Sequence, residues 1–196
     1  MAISVEALTD TALQAALPDL ARLRIAVFRD WPYLYDGSLD YEQKYLAKFG
    51  ASRDTIIVIA RDGKQIVGAS TASPMTGHAD EFAAAFRAHG LDPETTYYFG
   101  ESVLLPAYRG QGAGHAFFDR REARARSLGR FERTAFCGVV RPKDHPLRPK
   151  DYLSLDGFWR KRGYAPMDGL IAELSWKDVG EAAQTMKPMQ FWMRSL

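Results

Sequence analysis

One stretch leaves this chain little freedom in how it folds. Residues 97–118 read YYFGESVLLPAYRGQGAGHAFF. The first half is rich in aromatic and apolar residues and closes at Pro106, as a strand does. The second half, Arg109, Gly110, Gln111, Gly112, Ala113 and Gly114, is a glycine-dense loop that runs straight into a helical pattern. Strand, glycine loop and helix in that order set a row of backbone N–H groups at a helix N-terminus. Those first-turn donors have no intrahelical partner and stand at the positive end of the helix dipole, so they attract phosphate. Glycine suits the position because no Cβ holds an anion away from the backbone and positive φ is free to it. Arg109 adds a permanent cation. The residues point to a pyrophosphate seat between a strand and a helix.

Spacing decides which phosphate ligand is meant. A P-loop needs Gly-Lys-Ser/Thr, and Gly114 is followed by His115. A dinucleotide fingerprint needs Gly-x-Gly-x-x-Gly, whereas Gly110, Gly112 and Gly114 alternate. The pattern that is met is Arg/Gln-x-x-Gly-x-Gly/Ala, at Arg109, Gly112 and Gly114, directly after Pro106, Ala107 and Tyr108. In this the chain resembles the GNAT superfamily of N-acetyltransferases, whose acetyl-CoA-binding motif has this form.

At 196 residues one domain spanning 1–196 is expected, long enough for a substantial core. A net charge of +2 leaves no basic footprint for nucleic acid. One cysteine, Cys137, excludes an internal disulfide, and four scattered histidines show no zinc spacing, so no metal is expected. No signal pattern opens the chain and no apolar run is long enough to span a membrane, so a cytoplasmic protein without a membrane partner is expected.

Segment by segment, residues 3–8 can serve as a strand. Leu17, Leu20, Leu23 and Val27 predict a helix that starts at Pro18 and Asp19 and ends near Trp31 and Pro32. After a loop over 30–40, a second helix is predicted with Asp40 as N-cap and Tyr41, Tyr45 and Phe49 on one stripe. A hairpin follows, 56–60 and 65–73, about a turn at Asp62 and Gly63. Phe82 and Phe86 mark a helix over 79–89 that Gly90 ends. The strand over 97–105 leads into a helix that turns Phe117, Phe118, Ala125 and Leu128 inward and closes at Gly129. Its Arg120, Arg121, Arg124 and Arg126 read either as a solvated face or as contacts for a nucleotide phosphate. Residues 134–140 predict a buried strand in which Cys137 is core. A proline-rich basic loop over 141–150, a helix over 151–162, and strands over 170–176 and 188–194 joined by a polar link complete the order.

The resemblance implies an α/β (α+β) architecture, the GNAT fold: a mixed, mostly antiparallel central sheet with one splayed parallel pair, here 97–105 and 134–140, flanked by helices. It implies that acetyl-CoA is held by the backbone of Val103, Leu104 and Leu105 and by Arg109, Gly110, Gln111, Gly112, Ala113, Gly114 and His115. Family chemistry is attack of an amine on the thioester through a tetrahedral oxyanion, which calls for a base, oxyanion donors and an acid. Glu101, the one acidic residue on the central strand, stands as the base, or else as a group that orients substrate while water moves the proton. The usual acid is a tyrosine four residues before the Gly-Phe/Tyr that ends the last helix. Trp159 holds that place before Gly163 and Tyr164 and cannot donate a proton to a thiolate. Tyr152, seven residues earlier and on about the same helix face, substitutes for it or is core. Trp31, Tyr33, Tyr35 and Asp36 lie in the loop that walls the acceptor side in this family, where aromatics hold a cationic amine or pack on the C-terminal strands. The expected function is acetyl transfer to a primary amine of a small molecule or a protein, with a homodimer possible. The alternative is a non-catalytic module of the same fold that binds or senses an acyl-CoA.

Overall fold

A computed structural model describes residues 3–8, 10–50, 54–78 and 80–196, with the side chains of 10, 11 and 48–50 outside that description. The expected Phe49 contact and Ala79 therefore lie outside the described residues. Seven described strands form one sheet in the order β1-β2-β3-β4-β5-β7-β6. They are β1 (Ser4–Leu8), β2 (Ile56–Asp62), β3 (Gln65–Pro74), β4 (Thr96–Leu104), β5 (Arg133–Val139), β6 (Ala165–Lys177) and β7 (Gln184–Ser195). All neighbours are antiparallel except β4 and β5. Five described α-helices flank the sheet: α1 (Asp10–Phe28), α2 (Leu39–Gly50), α3 (Asp80–Ala88), α4 (Ala113–Ser127) and α5 (Asp156–Lys161).

Four consecutive buried residues of β2 show how the sheet is covered on both sides. Successive side chains of a strand point to opposite faces. Ile57 and Ile59 join Leu13, Leu17, Leu20, Leu46 and Val103 under α1 and α2. Val58 and Ala60 join Val67 and Phe117 under α4. Farther along, Phe118 and Ala125 of α4 pack on Phe99, Phe136, Tyr164 and Trp192, while Phe82 and Phe86 of α3 pack on Tyr98, Cys137 and Phe191. Cys137 is core, as expected, and burial pushes its thiol up to about 12.

Several expectations need correction. Helix α1 starts at Asp10 and carries Pro18 inside it. The buried stripe Leu13, Leu17, Leu20 runs across the proline, which sits on the exposed face, so packing outweighs the lost backbone bond. In α2 the cap is Ser38, whose Oγ accepts from Tyr41 N–H at 3.4 Å. Tyr41 is exposed, and Glu42 and Leu46 hold the buried stripe instead. The hairpin pairs Asp62 with Gln65, so its two-residue loop is Gly63-Lys64, with Gly63 at φ +56°. Strands β6 and β7 run past the apolar segments that announced them, because Lys177 pairs with Gln184 and the two ends of the polar link join the sheet. The last helix is shorter than expected. Ser154 Oγ accepts from Asp156 N–H at 3.2 Å and Tyr152 N–H bonds Pro149 O at 3.2 Å, so turns occupy the stretch before Asp156. Tyr152 is therefore a loop residue, and the argument from a shared helix face does not apply to it.

Candidate active site

The parallel pair opens as soon as it forms. Strands β4 and β5 pair only at Thr96 with Arg133, Tyr97 with Thr134 and Tyr98 with Ala135. Beyond Tyr98, β4 stays with β3 as far as Leu104, and β5 stays with β7 as far as Val139. Residues 99–104 thus present a strand edge to a gap.

The glycine loop closes one end of that gap. After β4, Leu105 N–H bonds Val67 O at 2.9 Å, and Tyr108 Oη donates to Asp62 at 2.9 Å. The loop then passes through Gly110 (φ +77°) and Gly112 (φ +87°), and Gly112 serves as N-cap of α4 with no side chain to satisfy the first-turn donors. A Cβ at either glycine would meet no protein atom within 4 Å. Positive φ demands glycine here, and the space in front of the loop is open. Arg109 and Gln111 are exposed and fold back on the carbonyls of Leu104 and Ala107, both at 3.3 Å. Phe158 of α5 supports the helix start, 4.9 Å from the His115 ring and in van der Waals reach of Gly114. The free strand edge, the uncapped helix start and the exposed glycines fit a pantetheine arm and a pyrophosphate.

At the other end, β4 carries a bulge. Ser70 pairs with Ser102 but Ala72 pairs with Phe99, so Gly100 and Glu101 stand opposite Thr71 alone. The bulge is held from the α4 face by Arg121, which is 1% exposed. Its Nη1 donates to Thr71 O at 3.3 Å and Glu101 O at 3.2 Å, and its Nη2 to Ser102 Oγ at 2.9 Å. The guanidinium lies 4.2 Å from the Phe99 ring centroid, and burial pulls it down to about 10, so it stays charged at neutral pH. The solvated-face reading of the α4 arginines therefore fails for Arg121, because backbone carbonyls freed by the bulge give it partners inside.

On the opposite face the Glu101 carboxylate meets α1. Its Oε2 is 2.7 Å from Arg24 Nη1, while Arg24 Nε binds Glu42 Oε2 of α2. Arg24 also lies over Tyr45, 4.6 Å from its centroid. Burial works to lower the Arg24 guanidinium, and Glu101, Tyr45 and Glu42 more than offset it, leaving it above its ordinary range. Glu42 is fully buried, and its Oε1 makes no hydrogen bond among the described residues.

The aromatic loop before α2 divides. Trp31 and Tyr152 meet edge to face at 5.9 Å, with His145 5.0 Å from Trp31. Burial raises the Tyr33 phenol, which has Cys137 and Tyr152 as neighbours, and burial likewise raises Tyr35, whose next neighbour is Glu42. Asp36 turns away, pairing with Lys177 at 2.6 Å and Arg29 at 3.2 Å. The loop is tied down by Arg141, which donates to Pro32 O at 2.9 Å and Tyr33 O at 2.7 Å and pairs with Asp178 at 2.6 Å. Trp159 packs on Phe136 and Trp192, each at 5.0 Å. Two residues of the site, Arg24 and Glu42, are not singled out by the sequence, and Arg121 stands there only as a surface or phosphate-contacting arginine. Each is a charged residue placed on an apolar helical stripe, and that was the signal available. A separate hollow of about 490 Å³ lies on the α4 face between Asp119, Glu122, Lys161, Arg162, Gly163 and Arg194, whose charges pair mostly with one another.

The sequence model of the Acetyltransferase (GNAT) family matches residues 20–149, more than half of the chain. The chain belongs to this family. Solved structures agree on the fold across nearly the whole length. A ribosomal-protein-alanine N-acetyltransferase from Brucella melitensis superposes with TM-score 0.61 at 13% identity, covering 98% of this chain and 99% of that one. The protein yncA from Salmonella typhimurium, solved with its cofactor acetyl-CoA, gives 0.60 at 10%, covering 100% and 95%. A GCN5-related N-acetyltransferase from Kribbella flavida gives 0.59 at 14%, covering 100% and 98%. No curated protein sequence matches the chain. Among the described residues no helix is long and apolar enough to cross a membrane, and no group of three or more His, Cys, Asp or Glu is arranged to hold a metal ion.

Proposed function

We propose that the protein is an N-acetyltransferase that moves an acetyl group from acetyl-CoA to a primary amine of a small molecule or a protein. One observation carries the reading: the strand that offers its free edge to the gap also carries Glu101, at a bulge beside the opening. The free edge at Val103 and Leu104, with Leu105 beyond the strand, would hold the pantetheine. Arg109 and the N–H groups from Gly110 to His115 would hold the pyrophosphate. When bound, acetyl-CoA supplies an acetyl group activated as a thioester.

The chain's own residues then have distinct tasks. An alkylamine with a pKa of about 10.4 is almost wholly protonated at neutral pH, so the acceptor needs a proton acceptor. Glu101 takes that proton, and Arg24 and Arg121 fix its side chain and its backbone from opposite faces of the sheet. Tyr152 is the acid. Burial raises its phenol, first of all causes, which keeps the proton on it until it is needed. Trp31 packs edge to face on Tyr152 and, with Tyr33, would wall the acceptor side.

The packing of Trp159 at the usual tyrosine position favours a second reading, a module that binds an acyl-CoA without turnover. Release of free CoA thiol, followed with acetyl-CoA and a broad panel of amines, separates the two. Amine-dependent release is expected. Tight acetyl-CoA binding with no amine raising the thiol signal would leave the binding module.

A further inference from the structure

The gap between β4 and β5 has a blunt inner end, and aromatic side chains fill it. The glycine loop follows the outer end of β4 at Leu104, and the two strands part after Tyr98. An arm laid from that loop along residues 104–99 would point its thioester at the parting of the strands, with any acyl chain continuing inward. Tyr98 reaches across that place from β4. Its Oη lies 2.9 Å from Cys137 Sγ, on β5 two residues beyond the last pair at Ala135. His78, Phe82 and Phe191 hold the Tyr98 ring, with centroids at 4.5, 5.4 and 6.2 Å. Tyr33 arrives on the same face. Val140 N–H bonds Pro188 O of β7 at 2.9 Å, and bonded positions alternate along an antiparallel ladder, so the Val139 N–H points into the gap. The Tyr33 hydroxyl meets that N–H, with Cys137 as a further neighbour. Arg141 Nη2 and Trp176 Nε1 donate to Tyr33 O at 2.7 and 3.0 Å, which fixes the backbone behind the ring. On the α4 face Phe99 and Phe136 close the same end, each 5.7 Å from the Phe118 ring.

We propose that the rings of Tyr98 and Tyr33 set the acyl length that the donor can carry, admitting acetyl-CoA and excluding longer acyl-CoA thioesters. The proposal rests on the reading of the gap as an acyl-CoA seat. An acetyl group ends one methyl beyond its carbonyl. Each further methylene has to enter space taken by two rings that their neighbours hold in place. Overfilling a close-packed site forces side chains off their rotamers or shifts the backbone, and either is unfavourable. A longer chain that bends back toward the acceptor side instead takes the space through which an amine approaches the thioester.

The test is calorimetric binding of acetyl-, butyryl- and hexanoyl-CoA to the full chain, which requires no acceptor. The parent is expected to hold acetyl-CoA at least about tenfold more tightly than butyryl-CoA, and hexanoyl-CoA more weakly again. In Tyr98→Leu and in Tyr33→Leu, butyryl-CoA is expected to bind as tightly as acetyl-CoA or more so. Tyr98→Phe keeps the ring and is expected to keep the parent's ratio. The ratio is the readout because damage to the fold lowers both affinities together. Tyr33 stands on a loop, so Tyr33→Leu decides the matter if Tyr98→Leu does not fold. Equal affinities for acetyl- and hexanoyl-CoA in the parent overturn the proposal. So does a ratio that the leucine variants leave unchanged, or one that Tyr98→Phe relaxes as far as Tyr98→Leu does. Acetyl transfer is followed on the same proteins. A parent that selects acetyl-CoA but acetylates no amine removes the transferase reading and leaves the selection in place. A parent that transfers acetyl and butyryl groups equally well removes the selection and leaves the transferase reading in place.

Discussion

The glycine loop over 109–114 follows β4 and Glu101 sits inside that strand, and the two surroundings are made of different materials. The loop is mostly exposed, and what it offers a ligand is backbone N–H, shaped by positive φ at two glycines. Glu101 is 7% exposed, and what surrounds it is side chain: Arg24 from α1, Glu42 and Tyr45 from α2, Arg121 from α4. The first is a local device that nearby residues complete. The second exists only when four separate elements meet. Damage to the loop should therefore spare the fold and lose the cofactor, whereas damage to the cluster should spare the cofactor and lose either the fold or the chemistry.

The largest expected effect is on chemistry. Glu101→Gln keeps the size of the side chain and removes proton acceptance, so turnover should fall about 10²–10⁴-fold, with acetyl-CoA affinity within a few-fold of the parent by calorimetry. The loss should shrink at high pH, where free amine needs no base. Gly112→Val tests the loop. No protein atom lies in its way, but its φ of +87° is strained for valine and its side chain enters the open space before α4. Acetyl-CoA affinity should drop at least about tenfold, roughly 1.4 kcal/mol or more, and backbone strain of about 1–3 kcal/mol should lower the melting temperature by several degrees. Arg24→Met leaves two buried carboxylates without their cation. Removing one partner of a buried ion pair costs about 3–5 kcal/mol, so scanning calorimetry should show Tm lower by roughly 10 °C for a chain of this size. An unchanged Tm would mean that the cluster contributes nothing to the fold.

The smallest expected effect lies on the strap that holds the acceptor loop. Burial raises the Asp178 carboxyl, and Arg141 and Lys187 more than reverse this, so it sits below the ordinary carboxylate range. A depressed folded pKa contributes stability above the unfolded value of about 3.9, and that stability is lost as pH falls through the folded value. The parent should therefore lose Tm on acidification below about pH 4 by a little more than Asp178→Asn does. Parallel curves for the two proteins would remove Asp178 from the acid response.

The same contrast explains what could be read from the residues alone. Strand, loop and helix over 97–118 were placed within a residue or two of β4 and α4, because Pro106, the glycines and the apolar runs act on their own neighbours. Cys137 is legible as core for a similar reason, inside an apolar run. Glu101 stands out as the one acidic residue on the central strand, but nothing local reveals that Arg24, 77 positions earlier in the numbering, will hold it. The bulge that frees two carbonyls for Arg121 depends on a slip in register between β3 and β4, which no spacing announces. The long helix over 151–162 failed because Ser154 and Asp156 favour a turn, a competition that periodicity does not weigh.

The central claim is that the gap between β4 and β5 and the loop behind it form one cofactor seat. Amide NMR of the parent titrated with acetyl-CoA tests it most directly. The backbone N–H resonances from Gly110 to His115 and along 99–104 are expected to shift together, saturating at one ligand concentration. Shifts confined to the hollow lined by Asp119, Glu122, Arg162 and Arg194, with the glycine amides unmoved, would contradict it.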